Sequence, residues 1–388
     1  MNPEIRKDTK IQVLFIASNI PTPKRKSNKV VMTIAHKLSA QFDVSVLHPA
    51  EWAPFPINRM KKYRNIAGRH SWEDEGIAVR PFKYIRLIGT DNAFRLLPYY
   101  QKRIQDYCQR FGIPQLVHAH YALPDGYLAF LIHNTYKVPY LISFRKSDIK
   151  FLQASKSSPT YKTMCAVLEH ASQIIVHNVA QQQHLSSEGF DSIVVPHGIE
   201  KDFIAKKEHE NDTDTINIAT VGELIPLKQI NWVIEAVKNY KGNKDITLTI
   251  AGDGPMRQEL EALAKGYSNI VFLGNIDHNK VGDLFCHSDI FALPSNNETF
   301  GIVYIEAAGH QNAVIATKGT GVWGIFKDEE EILYCDSYDS FQEMLYELID
   351  NDKLRNLISK KAFDKTVENF TWETVIKTYT NTYENVLN

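Results

Sequence analysis

The chain has 388 residues, 44% of them hydrophobic and 23% charged, the balance of a globular protein long enough for two cores. No apolar run approaches the length of a bilayer span, which excludes a membrane-spanning reading. Net charge is only −1, and the four scattered cysteines, Cys108, Cys165, Cys286 and Cys335, show neither metal-knuckle nor disulfide spacing, so a reducing cytoplasm is expected.

The charged residues 1–10 lead into Ile11-Gln12-Val13-Leu14-Phe15-Ile16. That run is too short and wrongly flanked for a signal peptide and reads as a first buried strand. Strands are predicted at 11–17, 43–48, 77–84, 115–119, 139–144, 173–177 and 192–196. A second series follows at 216–221, 246–251, 270–273, 290–293, 313–317 and 331–334. Helices fill the gaps. In 228–240, Ile230, Val233, Ile234 and Val237 recur at i, i+3, i+4 and i+7, which makes one buried stripe. Regular β–α alternation predicts parallel sheets with helices on both faces. Two series predict two doubly wound, Rossmann-like α/β domains, 1–196 and 197–371, with a final helix at 372–388. Pro196-His197-Gly198 closes the first series, and the polar run 206–212 precedes the second as an exposed connection would.

Charge is unevenly spread. Residues 1–110 hold 20 Lys+Arg against 9 Asp+Glu. Lys24-Arg25-Lys26 and Lys61-Lys62-Tyr63-Arg64 stand out, with Arg59 and Arg69 nearby and Met60 and Ile66 interleaved. Such a surface either lies against anionic lipid headgroups or is a solvated face that aids solubility. No nucleic-acid-binding module accompanies the charge, so nucleic acid is not expected as a partner.

Residues 296–310 read Asn-Asn-Glu-Thr-Phe-Gly-Ile-Val-Tyr-Ile-Glu-Ala-Ala-Gly-His, just after the strand-like Ile290-Phe291-Ala292-Leu293-Pro294. A strand, a polar loop with Gly and then a helix expose backbone N–H groups to a phosphate. Glu298 would lie on the loop and Glu306 two turns into the helix, at opposite ends of one small anionic ligand bearing hydroxyls on both sides. That describes a nucleotide sugar; a capped helix with a solvated Glu is the other reading.

The pair resembles the Glu-x7-Glu signature of retaining glycosyltransferases, specifically glycosyltransferase family 4. Val221-Gly222-Glu223-Leu224-Ile225-Pro226-Leu227-Lys228 resembles its Val-Gly-Arg-Leu-x-Pro-x-Lys-Gly loop. Ala251-Gly252-Asp253-Gly254-Pro255 resembles its Gly-x-Gly-Pro turn, and Val195-Pro196-His197-Gly198-Ile199 its Pro-Asn-Gly-Val stretch. His118-Ala119-His120 and Pro124-Asp125-Gly126 resemble first-domain motifs. The resemblance implies the GT-B architecture, with substrate in a cleft between the domains and the last helix crossing back to the first.

It also implies roles. Lys228 would hold the diphosphate, with Gly222 allowing backbone to approach and the N–H groups of Phe300, Gly301 and Ile302, beside Thr299, adding to the contact. Glu298 would sit near the transferred sugar. Glu306 would accept from the ribose hydroxyls, since a carboxylate can take both. Gly274 and Asn275 would hold the base, or form a plain strand-end turn. The family's front-face substitution retains configuration and needs no metal and no cofactor beyond the nucleotide-diphosphate sugar. Three departures stand out. Glu223 replaces an Arg, which requires it to face away, to pair with Lys228 or to read a sugar hydroxyl. Arg145-Lys146-Ser147-Asp148 replaces His-Gly-Ser-Asp, so Arg145 offers charge stabilisation in place of proton transfer. The loop at 21–28 has no Gly. His120, past the strand 115–119, is expected at a cleft-side edge or as a structural histidine.

The expected function is sugar transfer from a nucleotide donor to a sugar or lipid-linked acceptor, in bacterial surface polysaccharide assembly at the inner face of the membrane. A nucleotide-sugar epimerase on the same architecture and a non-catalytic sugar-nucleotide-binding subunit are the alternatives.

Overall fold

The computed structural model describes residues 10–23, 27, 29–52, 70–85, 97–206, 215–296 and 298–388. The basic clusters at 24–26 and 59–69, most of the polar connection at 206–212 and Asn297 lie outside the described residues. The chain divides into two compact α/β units. One comprises Met1–Val176, Gln181–Val195 and Ile376–Asn388; the other comprises His177–Ala180 and Pro196–Val375. The sequence-based boundaries, 196/197 and 371/372, compare with 195/196 and 375/376.

The first unit holds β1 (Gln12–Ile16), β2 (Asp43–Trp52), β3 (Trp72–Asp74), β4 (Ile77–Ile85), β5 (Leu116–Ala119), β6 (Tyr140–Ser143), β7 (Gln173–Val176) and β8 (Ile193–Val194). They form one sheet in the order β3-β4-β2-β1-β5-β6-β7-β8. All pair in parallel except β3, which is antiparallel to β4. Sandwiched strands bury both faces, which is why β5 and β6 are buried at every position and read as continuous apolar runs. β3 was not predicted. It is three residues long, carries Glu73 and Asp74, and is turned by Glu75-Gly76, both at positive φ, as a two-residue hairpin requires. The last helix, Trp372–Leu387, delivers its end to this unit. Thr380 donates to Gln41 at 3.0 Å, and the fully buried Tyr383 packs on Phe42.

The second unit holds β9 (Thr215–Val221), β10 (Asp245–Ala251), β11 (Ile270–Gly274), β12 (Ile290–Ala292), β13 (Ala313–Thr317) and β14 (Leu333–Cys335), all parallel, in the order β11-β10-β9-β12-β13-β14. Ile218, Leu248, Ile250, Phe291 and Ile315 centre its core. The predicted helix at 228–240 spans Ile230–Asn239 and buries Ile230, Val233, Ile234 and Val237. Among the described residues no helix is long and apolar enough to cross a membrane.

Candidate nucleotide-sugar site

The strand order of the second unit reverses between β9 and β12. β9 leads to β10 and β11 on one side, and β12 to β13 and β14 on the other. The crevice at the carboxyl ends of two such strands is where doubly wound sheets take ligands. Lys228 arrives from the β9 end and Glu298 from the β12 end. They meet as an ion pair between Lys228 Nζ and Glu298 Oε1, with side chains 18% and 13% exposed.

Tight turns produce that meeting. A Cβ on Gly252, at φ +139°, would lie 1.8 Å from the Gly222 carbonyl oxygen, so only glycine lets the turns after β9 and β10 close on each other. Leu224 N–H donates to Asp253 O at 3.0 Å, and Met256 N–H to Leu224 O at 3.0 Å. Pro226–Lys228 then form one 3-10 turn, and the Lys228 stem passes over Gly222, 3.6 Å from where a Cβ would be. The loop after β12 hangs on the residue before the lysine: Asn296 N–H and Ser295 Oγ both donate to Leu227 O, at 3.0 and 3.2 Å. Glu223 is exposed. Among the described residues the ion pair of Lys228 is with Glu298.

The loop carrying Glu298 is clasped by Thr320, whose hydroxyl accepts from Glu298 N–H at 2.8 Å and donates to Glu298 O at 2.9 Å. Asn178 donates to Thr299 O at 2.7 Å and to Gly321 O at 2.9 Å. Phe300 is buried edge-on against His197. Gly301, at φ +79°, caps the helix Ile302–Ala308, and the Tyr304 hydroxyl beneath it donates to Leu293 O at 2.8 Å. Burial, with the Glu298 charge nearby, holds the Tyr304 phenol well above its usual range. It stays a neutral donor.

The helix starts at Ile302, so Glu306 lies about one turn into it rather than the two turns expected. The first N–H groups, of Ile302 and Val303, have no acceptor within the helix. The Glu306 carboxylate is 13% exposed and accepts from His278 Nε2 at 2.8 Å. Gly274 ends β11 at φ +70°, its carbonyl accepting from Gly252 N–H at 2.8 Å, and Asn275 is exposed beyond it. Thr320, Asn178 and His278 were missed by sequence reasoning. Each lies in a segment without a motif and acts through a partner 22 or more residues away.

The first-unit candidates are placed differently. His118 and His120 are fully buried, rings 4.2 Å apart, with Phe15 against both. His120 lies just past the end of β5, its ring packed on Phe15 and His118. His118 bonds the Tyr383 hydroxyl at 2.6 Å and the Ser143 hydroxyl at 2.9 Å. Burial, then the Arg145 charge, pushes its pKa down to about 3. Arg145 is 7% exposed; its Nε donates to His120 O at 3.3 Å and its N–H to Asp148 at 2.9 Å. Asp148 also accepts from Ala122 N–H at 3.1 Å, and burial raises it to about 6. Asp125, accepting from Ser18 N–H at 3.0 Å, is raised well above the carboxylate range by burial. Arg145 lies beside two sealed carboxyls, and its charge favours their ionised forms.

Carboxylates in Asp-x-Asp order are one way to hold a divalent cation, and the chain has two such triplets. Asp212-Thr213-Asp214 lies outside the described residues. In Asp350-Asn351-Asp352, Asp350 accepts from Tyr240 and Asp352 pairs with Arg355 and Lys244, so that triplet ties helices together.

Residues 201–365 match the family described as glycosyl transferases group 1. A teichuronic acid biosynthesis glycosyltransferase of Bacillus subtilis, TuaC, is 26% identical over 83% of this chain and 85% of its own length. Sucrose-phosphate synthase from Thermosynechococcus elongatus superposes with a TM-score of 0.70 over 97% of this chain and 99% of that one, at 17% identity. Anabaena HepE in complex with UDP does so with a TM-score of 0.70 over 97% and 100%, at 14% identity. Both share the two-domain GT-B fold.

Proposed function

For a chain whose residues 201–365 match the group 1 glycosyl transferases, we propose a retaining transfer of a sugar from a nucleotide-diphosphate sugar to a sugar or lipid-linked acceptor. The observation that carries this reading is the Lys228–Glu298 pair at the strand-order reversal. The bond from the sugar C1 to the β-phosphate oxygen breaks. The acceptor oxygen bonds C1 on the same face, and its proton passes to a β-phosphate oxygen. Negative charge grows on the diphosphate, and a preplaced ammonium stabilises it most as the bond breaks. Lys228 Nζ has three donors, so it can keep Glu298 and take a phosphate oxygen at once. The N–H groups of Gly301 and Ile302 are neutral donors beside it. Glu298 then orients the sugar, and Glu306 accepts from the ribose hydroxyls. No metal enters.

The TuaC likeness supports a place in bacterial surface polysaccharide synthesis, and the HepE complex makes UDP the first nucleotide to try. The basic first third of the sequence supports docking on the anionic inner face of the plasma membrane; its strongest clusters lie outside the described residues. The test is transfer from a panel of UDP-, GDP- and ADP-sugars, with and without chelator, and the product's anomeric configuration read by NMR. Retained configuration and full activity in chelator are expected. An inverted product, or activity abolished by chelator and restored by magnesium or manganese, overturns the mechanism. Tight binding with neither transfer nor donor hydrolysis makes the chain a binder.

A further inference from the structure

We infer that His278 is a positioning residue for Glu306 and through it sets the preference for ribose hydroxyls; this rests on the reading of Glu306 given above. Four observations converge on it. His278 opens the helix His278–Cys286 and donates from Nε2 to Glu306 Oε1 at 2.8 Å. Its ring stacks on Phe203, with centroids 4.2 Å apart and planes 15° from parallel. Phe203 in turn meets His310 edge-on at 4.9 Å, and His310 Nδ1 bonds the Glu306 carbonyl at 2.7 Å. Gly282 lies one turn beyond His278, and a Cβ there would come within 3.1 Å of the Phe203 ring. The missing side chain leaves the ring its place.

Glu306 is therefore held at both ends. Its carbonyl is tied to His310 and its carboxylate to His278, and Phe203 braces the two imidazoles against each other. A glutamate has three side-chain torsions to fix before it can serve a ligand, and each costs entropy on binding. One hydrogen bond to Oε1 fixes the carboxylate plane and leaves Oε2, which has no protein partner among the described residues, to accept from a hydroxyl. The ligand supplies the donors on that side, and the protein has prepaid the orientation. His278 is 62% exposed, so the core has no need of it. An exposed imidazole on an aromatic platform and pointed at a mostly buried carboxylate serves that carboxylate.

The test compares binding of nucleoside diphosphates with and without ribose hydroxyls by calorimetry: UDP, GDP and ADP, then the 2′,3′-dideoxy form of the tightest. His278→Phe keeps the stack on Phe203 and removes the donor. His278→Gln keeps a donor at a similar reach. The wild type should favour the ribose form. His278→Phe should reduce that ratio about tenfold, the size of one lost hydrogen bond to a charged acceptor, while binding of the dideoxy form stays within about twofold. His278→Gln should recover most of the ratio. An unchanged ratio in His278→Phe overturns the inference. Glu306→Gln separates this from the parent reading. If it too leaves the ratio unchanged, or if no nucleoside diphosphate binds the wild type, the ribose role of Glu306 fails first. If Glu306→Gln collapses the ratio and His278→Phe does not, only the positioning role of His278 fails.

Discussion

The two units place charged side chains at equivalent points of their sheets and treat them in opposite ways. In the first, the reversal falls at β1/β5, and the groups at the end of β5 and in the loops after β5 and β6 are sealed: His118, His120 and Asp125 are fully buried and Asp148 is 1% exposed. In the second it falls at β9/β12, where Lys228 and Glu298 keep 18% and 13% of their surface. Sealing shifts the carboxyls and the imidazole toward neutrality, because desolvation penalises charge. Partial exposure leaves a cation with donors to spare. The same fold position thus makes a polar framework in one unit and a ligand-ready pair in the other. Position at a strand end is permission for a site, and burial decides whether it is used as one.

The largest effect expected from this contrast is on Arg145. Removing one partner of a buried charge cluster leaves the others uncompensated and typically costs about 3–5 kcal/mol. Arg145→Ala should therefore destabilise the first unit by about that much in urea unfolding. Nucleoside diphosphate affinity of the folded fraction should change less than about threefold. A variant of undiminished stability that has lost transfer would move Arg145 from framework to reaction.

Lys228→Ala is the mirror experiment and the next in size. Loss of one charge-assisted contact costs about 2 kcal/mol, or about a 30-fold weaker nucleoside diphosphate affinity by calorimetry. The thermal midpoint should move by no more than about 3 °C, since neither member of the pair is sealed. Unchanged affinity, or unfolding as severe as that expected for Arg145→Ala, would erase the distinction between the two units.

These placements divide into what sequence carries and what it does not. The strands were legible because buried parallel strands are short apolar runs between helical stripes, and only β3, with Glu73 and Asp74, lacks that mark. Lys228, Glu298 and Glu306 were legible because their loops carry spacing and turn residues that backbone geometry demands, such as Gly252 against Gly222. The one-turn depth of Glu306 was missed because a helix start depends on where Gly301 turns. His120 reads two ways because nothing local distinguishes a strand-end imidazole under solvent from one packed on Phe15 and His118. His278, Asn178 and Thr320 were invisible because their partners are set by the sheet order.

The smallest expected effect probes the sealed cluster by pH. His118 is held at about 3 by burial and by Arg145, against an ordinary value near 6.5. The folded chain keeps it neutral, whereas the unfolded chain takes a proton below about pH 6.5. Its contribution is therefore present above that pH and lost as pH falls, by about 1.4 kcal/mol per unit. Asp148, raised to about 6 by burial, has the opposite sign. It binds its proton first in the folded chain, so stability is gained as pH falls from about 6 toward its unfolded value near 4. The two slopes mask one another in the wild type. His118→Gln removes only the imidazole's share. The variant should be the less stable protein at pH 7.5, for want of the bonds to Tyr383 and Ser143. Its deficit in urea unfolding should shrink by about 2 kcal/mol between pH 6.5 and pH 5. A deficit that stays constant or grows over that interval would mean that His118 accepts its proton in the folded chain. The first unit would then be as open to charge as the second, and the contrast between them would fall.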